Sequence, residues 1–290
     1  MSIPRVWLVT GSSSGFGLAI CKRALAEGDN VVATLRTPSA LDALAAQYPE
    51  NLLVAQVDVT RADEVAAAFR AAKARFGRVD VVFNNAGVSI AGEVESVPEE
   101  DARRVMDVNF WGAVHVSKEA VRFFREENPA GAGGLLLNVS SDGAHTSFPG
   151  VTYYQASKHA LEGLTGALAW EVDPKWNIRV CLLTPGAFRT DLGAKQQFAP
   201  VHPAYTDVPV IKQVRHIVKA MWEPNGPMPM GSADKAAARI FEISKLEKLP
   251  LRVFLGADGI KRVQEYHQQV AADIQASEKW QDGLMEDAAT

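Results

Sequence analysis

Short apolar runs alternate with longer amphipathic segments along most of the chain. Apolar, β-branched runs bounded by turn residues are typical of buried strands, and apolar residues three or four positions apart are typical of helices. This pattern predicts strands at residues 5–10, 30–35, 52–57, 79–83, 135–139, 178–183 and 251–255. It predicts helices at residues 18–27, 41–46, 61–76, 98–127, 151–171, 232–246 and 259–283.

The regular alternation predicts an α/β fold, in which a doubly wound parallel sheet of about seven strands carries helices on both faces. One stretch breaks the alternation. Residues 187–231 are rich in proline and are too long for a simple connection in a compact domain. We therefore expect a single domain over residues 1–290, with 187–231 as a lid or substrate-binding insertion and a polar C-terminal helix at about 259–283.

Composition and charge exclude several classes of protein. The net charge of −4 gives no electrostatic reason to expect a nucleic-acid partner. The two cysteines, Cys21 and Cys181, are too few for a disulfide framework, and their apolar surroundings predict buried thiols in a reducing, cytoplasmic compartment. No apolar run approaches the ~20 residues of a membrane-spanning helix, and we expect no secretory leader, since the first residues lead directly into a strand.

A glycine-rich turn lies between the first predicted strand and the first predicted helix, where phosphate-binding turns occur. Gly11 permits a tight turn, Gly15 lets the backbone approach a pyrophosphate, and Gly17 lets the helix pack on the strand. Ser13 and Ser14 add hydroxyl donors. The spacing, G-x-x-x-G-x-G, differs from the common G-x-G-x-x-G fingerprint, so the turn matches by mechanism rather than by motif.

The same turn supports a second hypothesis. Residues 11–15 also match G-x-S-x-G, with Ser13 as the nucleophile of a serine hydrolase. A hydrolase elbow normally follows several strands of the sheet, whereas a single strand precedes this one. The hydrolase is therefore the weakest alternative.

Two residues after predicted strands bear on the choice of nucleotide. A carboxylate at the end of the second strand would bind the ribose 2′-hydroxyl of NAD, but Leu35 and then Arg36 stand there. Arg36 can pair with a 2′-phosphate, which favours NADP. Asp58, after the third strand, is able to accept a hydrogen bond from an adenine amino group or to cap the next helix, and both alternatives stay open.

Polar and small residues follow the other strands as well. Ligands of parallel sheets bind beyond the carboxyl ends of the strands, so these positions should meet along one edge. They are Gly11, Arg36, Asp58, Asn85, Ser141 and Pro185.

Tyr154 and Lys158 lie four positions apart in a predicted helix, so they share a face. A phenol has a pKa near 10 and is a poor acid or base at neutral pH. We expect the neighbouring cation to stabilise the phenolate and lower that pKa, making the pair a proton-transfer device. A surface helix would explain an isolated pair equally well, so its meaning depends on the rest of the chain.

The motifs occur together and in a fixed order: Thr10-Gly11-x-x-x-Gly15-x-Gly17, Asn84-Asn85-Ala86-Gly87, Asn109, Ser141, Tyr154-x-x-x-Lys158, and Pro185-Gly186 with Thr190. By these motifs the chain resembles the short-chain dehydrogenases/reductases over about residues 5–255. It is most similar to the branch of 17β-hydroxysteroid dehydrogenases and carbonyl reductases. The resemblance implies a Rossmann-type fold and an NAD(P)-dependent alcohol dehydrogenase or carbonyl reductase.

The resemblance also implies roles for four catalytic residues. Tyr154 is the general acid in reduction and the base in oxidation, and Lys158 binds the nicotinamide ribose and keeps Tyr154 acidic. Ser141 hydrogen-bonds the substrate oxygen. Asn109, in the middle of the long helix predicted at 98–127, anchors a water that links Lys158 to solvent.

The implied cofactor is NADP(H) in preference to NAD(H), with no metal. Asn85 to Gly87 pass along the adenine-side ribose, and Pro185 to Thr190 cover the nicotinamide. The full predicted set is Gly11, Ser13, Ser14, Gly15, Phe16, Gly17, Arg36, Asp58, Val59, Asn85, Ala86, Gly87, Tyr154, Lys158, Pro185, Gly186, Phe188 and Thr190.

The partner predicted for this site is a small-molecule substrate, a ketone or secondary alcohol. Apolar residues of the insertion either line a cleft for a hydrophobic substrate or pack the lid onto the domain, and the two are equally supported. They are Phe198, Tyr205, Ile211, Met221, Trp222, Met228 and Met230. His145 either lines the same cleft or is an ordinary loop residue.

Two expectations concern partners and turnover. A homodimer through the helix at 151–171, or a tetramer, is expected from the resemblance. An NADP-binding sensor or scaffold without turnover is the alternative from the binding class, and NADPH binding without turnover of any carbonyl would favour it.

Overall fold

The computed structural model describes residues 3–194, 196–221, 229–282 and 284. Its strands are β1 Val6–Thr10, β2 Asn30–Leu35, β3 Leu52–Gln56, β4 Val81–Asn84, β5 Ile90–Ala91, β6 Gly134–Val139, β7 Ile178–Pro185, β8 Phe188–Arg189, β9 Gln197–Phe198, β10 Gly231–Ser232 and β11 Arg252–Leu255. Its α-helices are α1 Gly15–Ala26, α2 Asp42–Gln47, α3 Ala62–Phe76, α4 Glu99–Met106, α5 Ala113–Glu126, α6 Thr152–Glu171, α7 Asp191–Ala194, α8 Pro209–Met221, α9 Ala233–Ile243 and α10 Ala257–Ser277.

Seven of these strands form one parallel sheet in the order β11-β7-β6-β4-β1-β2-β3. β1 pairs with β2 on one side and with β4 on the other, so that Val9 lies between Ala33 and Phe83. The chain winds outward in both directions from β1. A crevice therefore opens at the carboxyl ends of β1 and β4, where doubly wound folds bind their ligands. The predicted fold class is confirmed.

Both faces of the sheet are covered, which explains the unbroken apolar runs. Successive residues of β1 point to opposite faces. Trp7 and Val9 pack in the cluster that includes residues of α1 and α9, whereas Val6 and Leu8 pack in the cluster that includes residues of α3 and α5.

The segment predicted as one helix at 98–127 has a different middle. α4 leads into a π-helical segment, Asp107–Gly112, and the chain continues directly as α5. A π-helical segment accommodates an extra residue within a helix and is frequent at functional sites. Gly112 lies so close to Val59 that a Cβ added to it would be 2.6 Å from Val59 Cγ2. Hydrophobic periodicity does not distinguish this segment from an α-helix.

The predicted insertion at 187–231 contains regular structure that the proline content obscured. α8 is a helix of thirteen residues, β9 pairs with β5 and β10 pairs with β8. β9 thus attaches the insertion to the segment after β4, whereas the pair of β8 and β10 joins the two ends of the insertion to each other. Residues 195 and 222–228, which include the predicted Trp222 and Met228, lie outside the described residues.

Several predicted boundaries shift by a few residues. The last helix begins earlier and ends earlier than predicted, at Ala257–Ser277 rather than 259–283. β7 extends to Pro185, two residues beyond the predicted end. None of the described helices combines the length and the hydropathy that crossing a membrane requires.

Candidate active site

The glycine-rich turn joins β1 to α1, and α1 begins at Gly15 rather than at the predicted residue 18. Gly15 and Gly17 therefore belong to the first turn of the helix, whose backbone N–H groups point out of its end. Gly11 and Gly15 have φ of +66° and +53°, a region that favours glycine. A Cβ at Gly17 would lie 2.2 Å from the Gly11 carbonyl oxygen. The turn therefore requires glycine at these three positions.

The end of β4 holds the glycine-rich turn in place. Thr10 Oγ1 accepts hydrogen bonds from the backbone N–H groups of Asn85 (2.9 Å) and Ala86 (3.0 Å). The Asn85 amide donates to the Thr10 carbonyl oxygen at 3.0 Å. Asn85 thus braces the turn with its side chain. A Cβ at Gly11 would lie 2.9 Å from Ala86 Cα, so the two strand ends are in direct contact.

A cleft of about 370 Å³ runs along this edge of the sheet, within the usual range of ligand sites. Fifteen of the predicted site residues line it: Gly11, Ser13, Ser14, Gly15, Phe16, Arg36, Asp58, Val59, Asn85, Ala86, Gly87, Tyr154, Lys158, Pro185 and Thr190. Five predicted residues do not line it: Gly17, Asn109, Ser141, Gly186 and Phe188. Asn109 contacts Val88, Ser141 contacts Tyr154 and Phe188 contacts Phe16, and these three partners line the cleft.

At one end of the cleft, Leu35 is buried at the end of β2, and Arg36, the next residue, is exposed. The Asp58 carboxylate accepts from the backbone N–H (3.0 Å) and the hydroxyl (2.8 Å) of Thr60. Burial alone would raise the pKa of Asp58, but these hydrogen bonds and the cations Arg36 and Arg61 lower it. Asp58 therefore stays ionised and closes the turn before α3, and its side chain does not cap the helix.

Lys158 is buried in α6 and reaches across to the end of β6. Its Nζ donates to the Val139 carbonyl oxygen at 2.8 Å and lies 5.8 Å from the centre of the Tyr154 ring. Burial lowers the pKa of Lys158 to about 8, although the charge of Glu162 raises it in part. Tyr154 and Lys158 are therefore neighbours on one helix face, as predicted.

The predicted lowering of the Tyr154 pKa is wrong for the chain by itself. Burial raises the pKa of Tyr154 to about 12, a hydrogen bond with Ser141 lowers it in part, and the charge of Asp142 raises it further. The cost of desolvating the phenolate is the largest of these effects. Tyr154 is thus held as a protonated phenol at neutral pH.

Ser141 lies at the start of a short 3-10 turn after β6. Its hydroxyl accepts from the Gly143 N–H at 3.1 Å and donates to Asp142 Oδ1 at 3.2 Å. The hydroxyl also hydrogen-bonds Tyr154. Ser141 therefore links the phenol to the loop that ends β6.

Asn109 lies in the π-helical segment and is buried. Its Oδ1 accepts from the Val88 N–H at 2.8 Å, and its Nδ2 donates to the Val88 carbonyl oxygen at 2.9 Å. Nδ2 also donates to Ser157 Oγ at 3.0 Å. Asn109 therefore fixes the loop after Gly87 against α6, and the water predicted from the resemblance stays a prediction.

The loop after β7 covers the other end of the cleft. Phe188 packs edge-on against Phe16, with ring centres 5.2 Å apart, and a Cβ at Gly15 would lie 3.2 Å from Thr190. These contacts place Pro185 to Thr190 over the glycine-rich turn.

Two histidine-dependent hypotheses lack support. His145 lies away from the cleft lining, with Nε2 3.1 Å from Glu162 Oε1 and its ring beside Phe254 and His267. Ser13 is exposed, and among the described residues no histidine is hydrogen-bonded to it, as a hydrolase nucleophile would require.

α8 packs beside Tyr154, a contact that the sequence did not predict. Val214 and Val218 of α8 pack in one apolar cluster with Ala91, Val151 and Tyr154. Their spacing of four residues, with Ile211 one turn earlier, is a helical signal. The prolines of this segment favoured an irregular insertion, so this helix was not predicted.

The residues of the cleft fit a nicotinamide dinucleotide. The backbone N–H groups at the start of α1 suit a pyrophosphate, and the glycines leave the space beside them free of side chains. No carboxylate stands at the end of β2, so a 2′-phosphate would meet Arg36 there. The Lys158 ammonium group faces the cleft next to Tyr154, where it can donate to ribose hydroxyls.

Comparison with known proteins agrees with this geometry. A family model described as short chain dehydrogenase matches residues 5–199. An uncharacterized oxidoreductase of Schizosaccharomyces pombe is 36% identical over 271 residues, covering 93% of this chain and 88% of that protein.

Two solved structures extend the comparison. The crystal structure of a short-chain dehydrogenase from Streptomyces avermitilis is 36% identical, with a TM-score of 0.85 over 99% of this chain and 100% of that one. A 3-ketoacyl-(acyl-carrier-protein) reductase from Brucella melitensis, complexed with NADH, is 28% identical, with a TM-score of 0.71 over 87% of this chain and 96% of that one.

Proposed function

The chain belongs to the short-chain dehydrogenase family of oxidoreductases, and from this membership we propose that it is an NADP(H)-dependent enzyme. It would interconvert a ketone and a secondary alcohol, with a preference for hydrophobic substrates. The observation that carries the proposal is the position of Tyr154 and Lys158 on the wall of the cleft that also contains the glycine-rich turn.

The bound nicotinamide nucleotide would supply or accept the hydride, which is chemistry that no side chain provides. Tyr154 would give its proton to the substrate oxygen in reduction. Its raised pKa of about 12 keeps that proton in place until negative charge develops on the oxygen. Ser141 would donate a second hydrogen bond to the same oxygen, stabilising the charge as it grows.

Lys158 and Asn109 would support this proton transfer. The Lys158 ammonium group lies next to the phenol, so it stabilises the phenolate that remains after reduction. Asn109 fixes Val88 and Ser157 and thereby the loop and helix that flank Lys158. In the oxidative direction Tyr154 would act as a base, at higher pH.

Purified protein with NADPH and a panel of ketones, from small to bulky and apolar, tests the proposal. Oxidation of NADPH that depends on one class of ketone would support it. Tight NADPH binding with no turnover of any carbonyl or alcohol would instead favour a sensor or scaffold.

The preference for NADP is supported by Arg36. Replacing Arg36 with Asp should change the ratio of the NADPH and NADH dissociation constants by ~10–100-fold towards NADH, because a hydrogen bond to a charged group contributes about 1.5–3 kcal/mol. Titration calorimetry with both nucleotides measures the ratio. Arg70→Asp, an exposed position of α3, is the matched control, and an equal ratio in both variants would exclude Arg36 as the determinant.

A hydrophobic substrate is supported by the apolar wall beside Tyr154. Val151, Val214 and Val218 form an apolar cluster with Tyr154 and Ala91, so a substrate that reaches the Tyr154 hydroxyl would approach apolar side chains of α8. Among the predicted apolar residues of the insertion, Ile211 is buried and Phe198 is exposed. Burial of Ile211 supports packing of the lid onto the domain, and exposure of Phe198 leaves its ring available to a substrate.

An ion pair attaches α8 to the loop after β5. Arg215 donates from Nε and Nη2 to the two oxygens of the buried Glu93, at 2.6 Å each, and from Nη1 to the Ala199 carbonyl oxygen at 2.8 Å. The hydrogen bond from Arg215 lowers the pKa of Glu93 from 4.5 to about 2, against the effect of burial. The ion pair therefore stabilises the attached lid above about pH 4.5, and this stabilisation is lost as the pH falls towards 2.

Replacing Arg215 with Met should release α8 from the domain. Hydrogen exchange of the α8 amides should become faster at every pH above 4.5, and KM for a bulky ketone should rise more than kcat falls. Lys212→Met, on the same helix, removes an exposed ion pair with Asp207, which precedes the helix, and is the control. Protection of α8 that equals the wild type in Arg215→Met would show that the ion pair does not hold the lid.

A homo-oligomer remains part of the proposal. Trp170, on α6, is 90% exposed, so its large apolar surface is available to a partner chain on this helix. Cytoplasmic localisation is also proposed, supported by two buried free cysteines, Cys21 and Cys181.

A further inference from the structure

The first turn of α10 contacts the loop that follows β7. A Cβ at Gly186 would lie 2.8 Å from both carboxylate oxygens of Asp258, and one at Gly259 would lie 2.9 Å from Gly186 Cα. Asp258 Oδ2 accepts a hydrogen bond from the Ala187 N–H at 2.9 Å. The loop from Pro185 to Ala187 is therefore attached to the C-terminal helix.

Arg262, one helical turn later, joins this contact to the loop that carries Ser141. Its Nη2 donates to Asp258 Oδ2 at 2.7 Å, and its Nε donates to Asp142 Oδ2 at 2.7 Å. Asp142 is buried and accepts from the Ser141 hydroxyl through its other oxygen, at 3.2 Å. One guanidinium group thus connects a carboxylate of the loop after β6 with a carboxylate of α10 that binds the loop after β7.

The charge of Asp142 has a chemical consequence. Reduction of a carbonyl builds negative charge on an oxygen next to Ser141 and Tyr154, and a buried carboxylate nearby opposes this. A free carboxylate would also compete with the substrate oxygen for the Ser141 proton. Arg262 offsets the first effect, because its positive charge neutralises the carboxylate. It weakens the second, because a neutralised carboxylate is a poorer acceptor for the Ser141 hydroxyl, which still donates to Oδ1.

We propose, on the basis of the oxidoreductase function above, that Arg262 is a positioning residue of the active site. It fixes the loop after β6, which carries Ser141, relative to the loop from Pro185 to Ala187. It also neutralises Asp142, so that the Ser141 hydroxyl can exchange its weakened bond to Asp142 for one to the substrate oxygen. The C-terminal helix is then part of the site, although it lies outside the residues that match the family model.

The charged groups around Tyr154 determine the expected pH dependence. Lys158 faces it from its own helix, and Asp142 from the loop after β6. Behind them, Arg262 and Asp258 of α10 contact Asp142 or each other. A second cluster lies behind Lys158, where Glu162 contacts His145 and Arg252. Removal of the Arg262 charge therefore leaves Asp142 uncompensated and raises the pKa of Tyr154, whereas removal of the Asp142 charge lowers it.

The test compares Arg262→Met, Asp142→Asn and the double variant, with Arg239→Met as the control, since Arg239 forms an exposed pair with Glu242 on α9. We expect Arg262→Met to lower kcat for reduction by about tenfold, which corresponds to a rise of about one unit in the pKa of Tyr154. The rate of alcohol oxidation, which increases with pH, should then increase at a higher pH than in the wild type. The Ala187 amide should exchange faster with solvent. The double variant should recover kcat and the pH profile but not the protection of Ala187.

Two outcomes would overturn the inference. The first is an Arg262→Met variant that matches Arg239→Met in kcat, pH profile and Ala187 exchange. The second is a double variant without recovery of kcat, which would indicate a merely structural role. If the wild type turns over no carbonyl, the proposed function fails. The inference is then tested by Ala187 exchange and by the NADPH dissociation constant of Arg262→Met, and values equal to those of Arg239→Met would overturn it.

Discussion

Replacing Tyr154 with Phe should lower kcat for ketone reduction by about 10²–10⁴-fold, the usual contribution of a positioned general acid. The aromatic ring that packs against Val151 and Val218 remains, so stability and NADPH affinity should stay close to those of the wild type. Only the hydroxyl that hydrogen-bonds Ser141 is lost. Stopped-flow kinetics with NADPH and the best ketone of the panel measure the rate, and fluorescence titration measures the affinity.

Tyr153→Phe is the matched control. Its hydroxyl donates to the Val94 carbonyl oxygen at 3.3 Å, outside the cleft lining, so the same loss of one oxygen should leave kcat unchanged. If Tyr154→Phe and Tyr153→Phe are equally active, Tyr154 is not the proton donor, and the proposed mechanism is wrong.

Replacing Gly17 with Ala should have the largest effect on cofactor binding. The added methyl group would lie 2.2 Å from the Gly11 carbonyl oxygen and 2.9 Å from the Asn85 amide, so the turn between β1 and α1 has to open. Overpacking of this kind costs about 1–3 kcal/mol. We therefore expect NADPH to bind ~10–100-fold more weakly, with a lower Tm, measured by titration calorimetry and thermal unfolding.

Gly163→Ala separates this clash from a general effect of replacing a helical glycine. Gly163 is exposed in α6, and nothing lies within 4 Å of a Cβ added there. This variant should be about as stable as the wild type or slightly more stable, since alanine favours a helix over glycine. Unchanged NADPH affinity in Gly17→Ala would mean that the phosphate does not bind at this turn.

The strands and the edge of the site were predictable because each depends on local sequence. Apolar runs that are buried on both faces, such as β1, stand out from any amphipathic helix. Once the strands are parallel, their carboxyl ends must share one edge, and the turn at Gly11, Asn85 and Tyr154 line one cleft. The resemblance to a known family then supplied roles that spacing alone left open.

The rest depends on tertiary contacts that spacing does not encode. The direction of the Tyr154 pKa shift was wrong because the depth of burial, rather than the neighbouring Lys158, dominates. The π-helical segment around Asn109 has the same hydrophobic periodicity as the α-helices beside it. α8 was missed since six prolines in 192–231 obscured its apolar spacing, although Pro209 stands at its first position, where proline is favoured.

The contact between α10 and the loop after β7 also has a consequence for the order in which the protein matures during synthesis. Of the strands that the structure describes, β11 is synthesised last, and it pairs with β7 along residues 182–185. Until then β7 is an open edge of the sheet, a known starting point for misassembly. Ser141, Tyr154 and Lys158 are made more than a hundred residues before Arg262. A nascent chain would therefore contain the proton-transfer residues before Arg262 of α10 is available to position the loops around them.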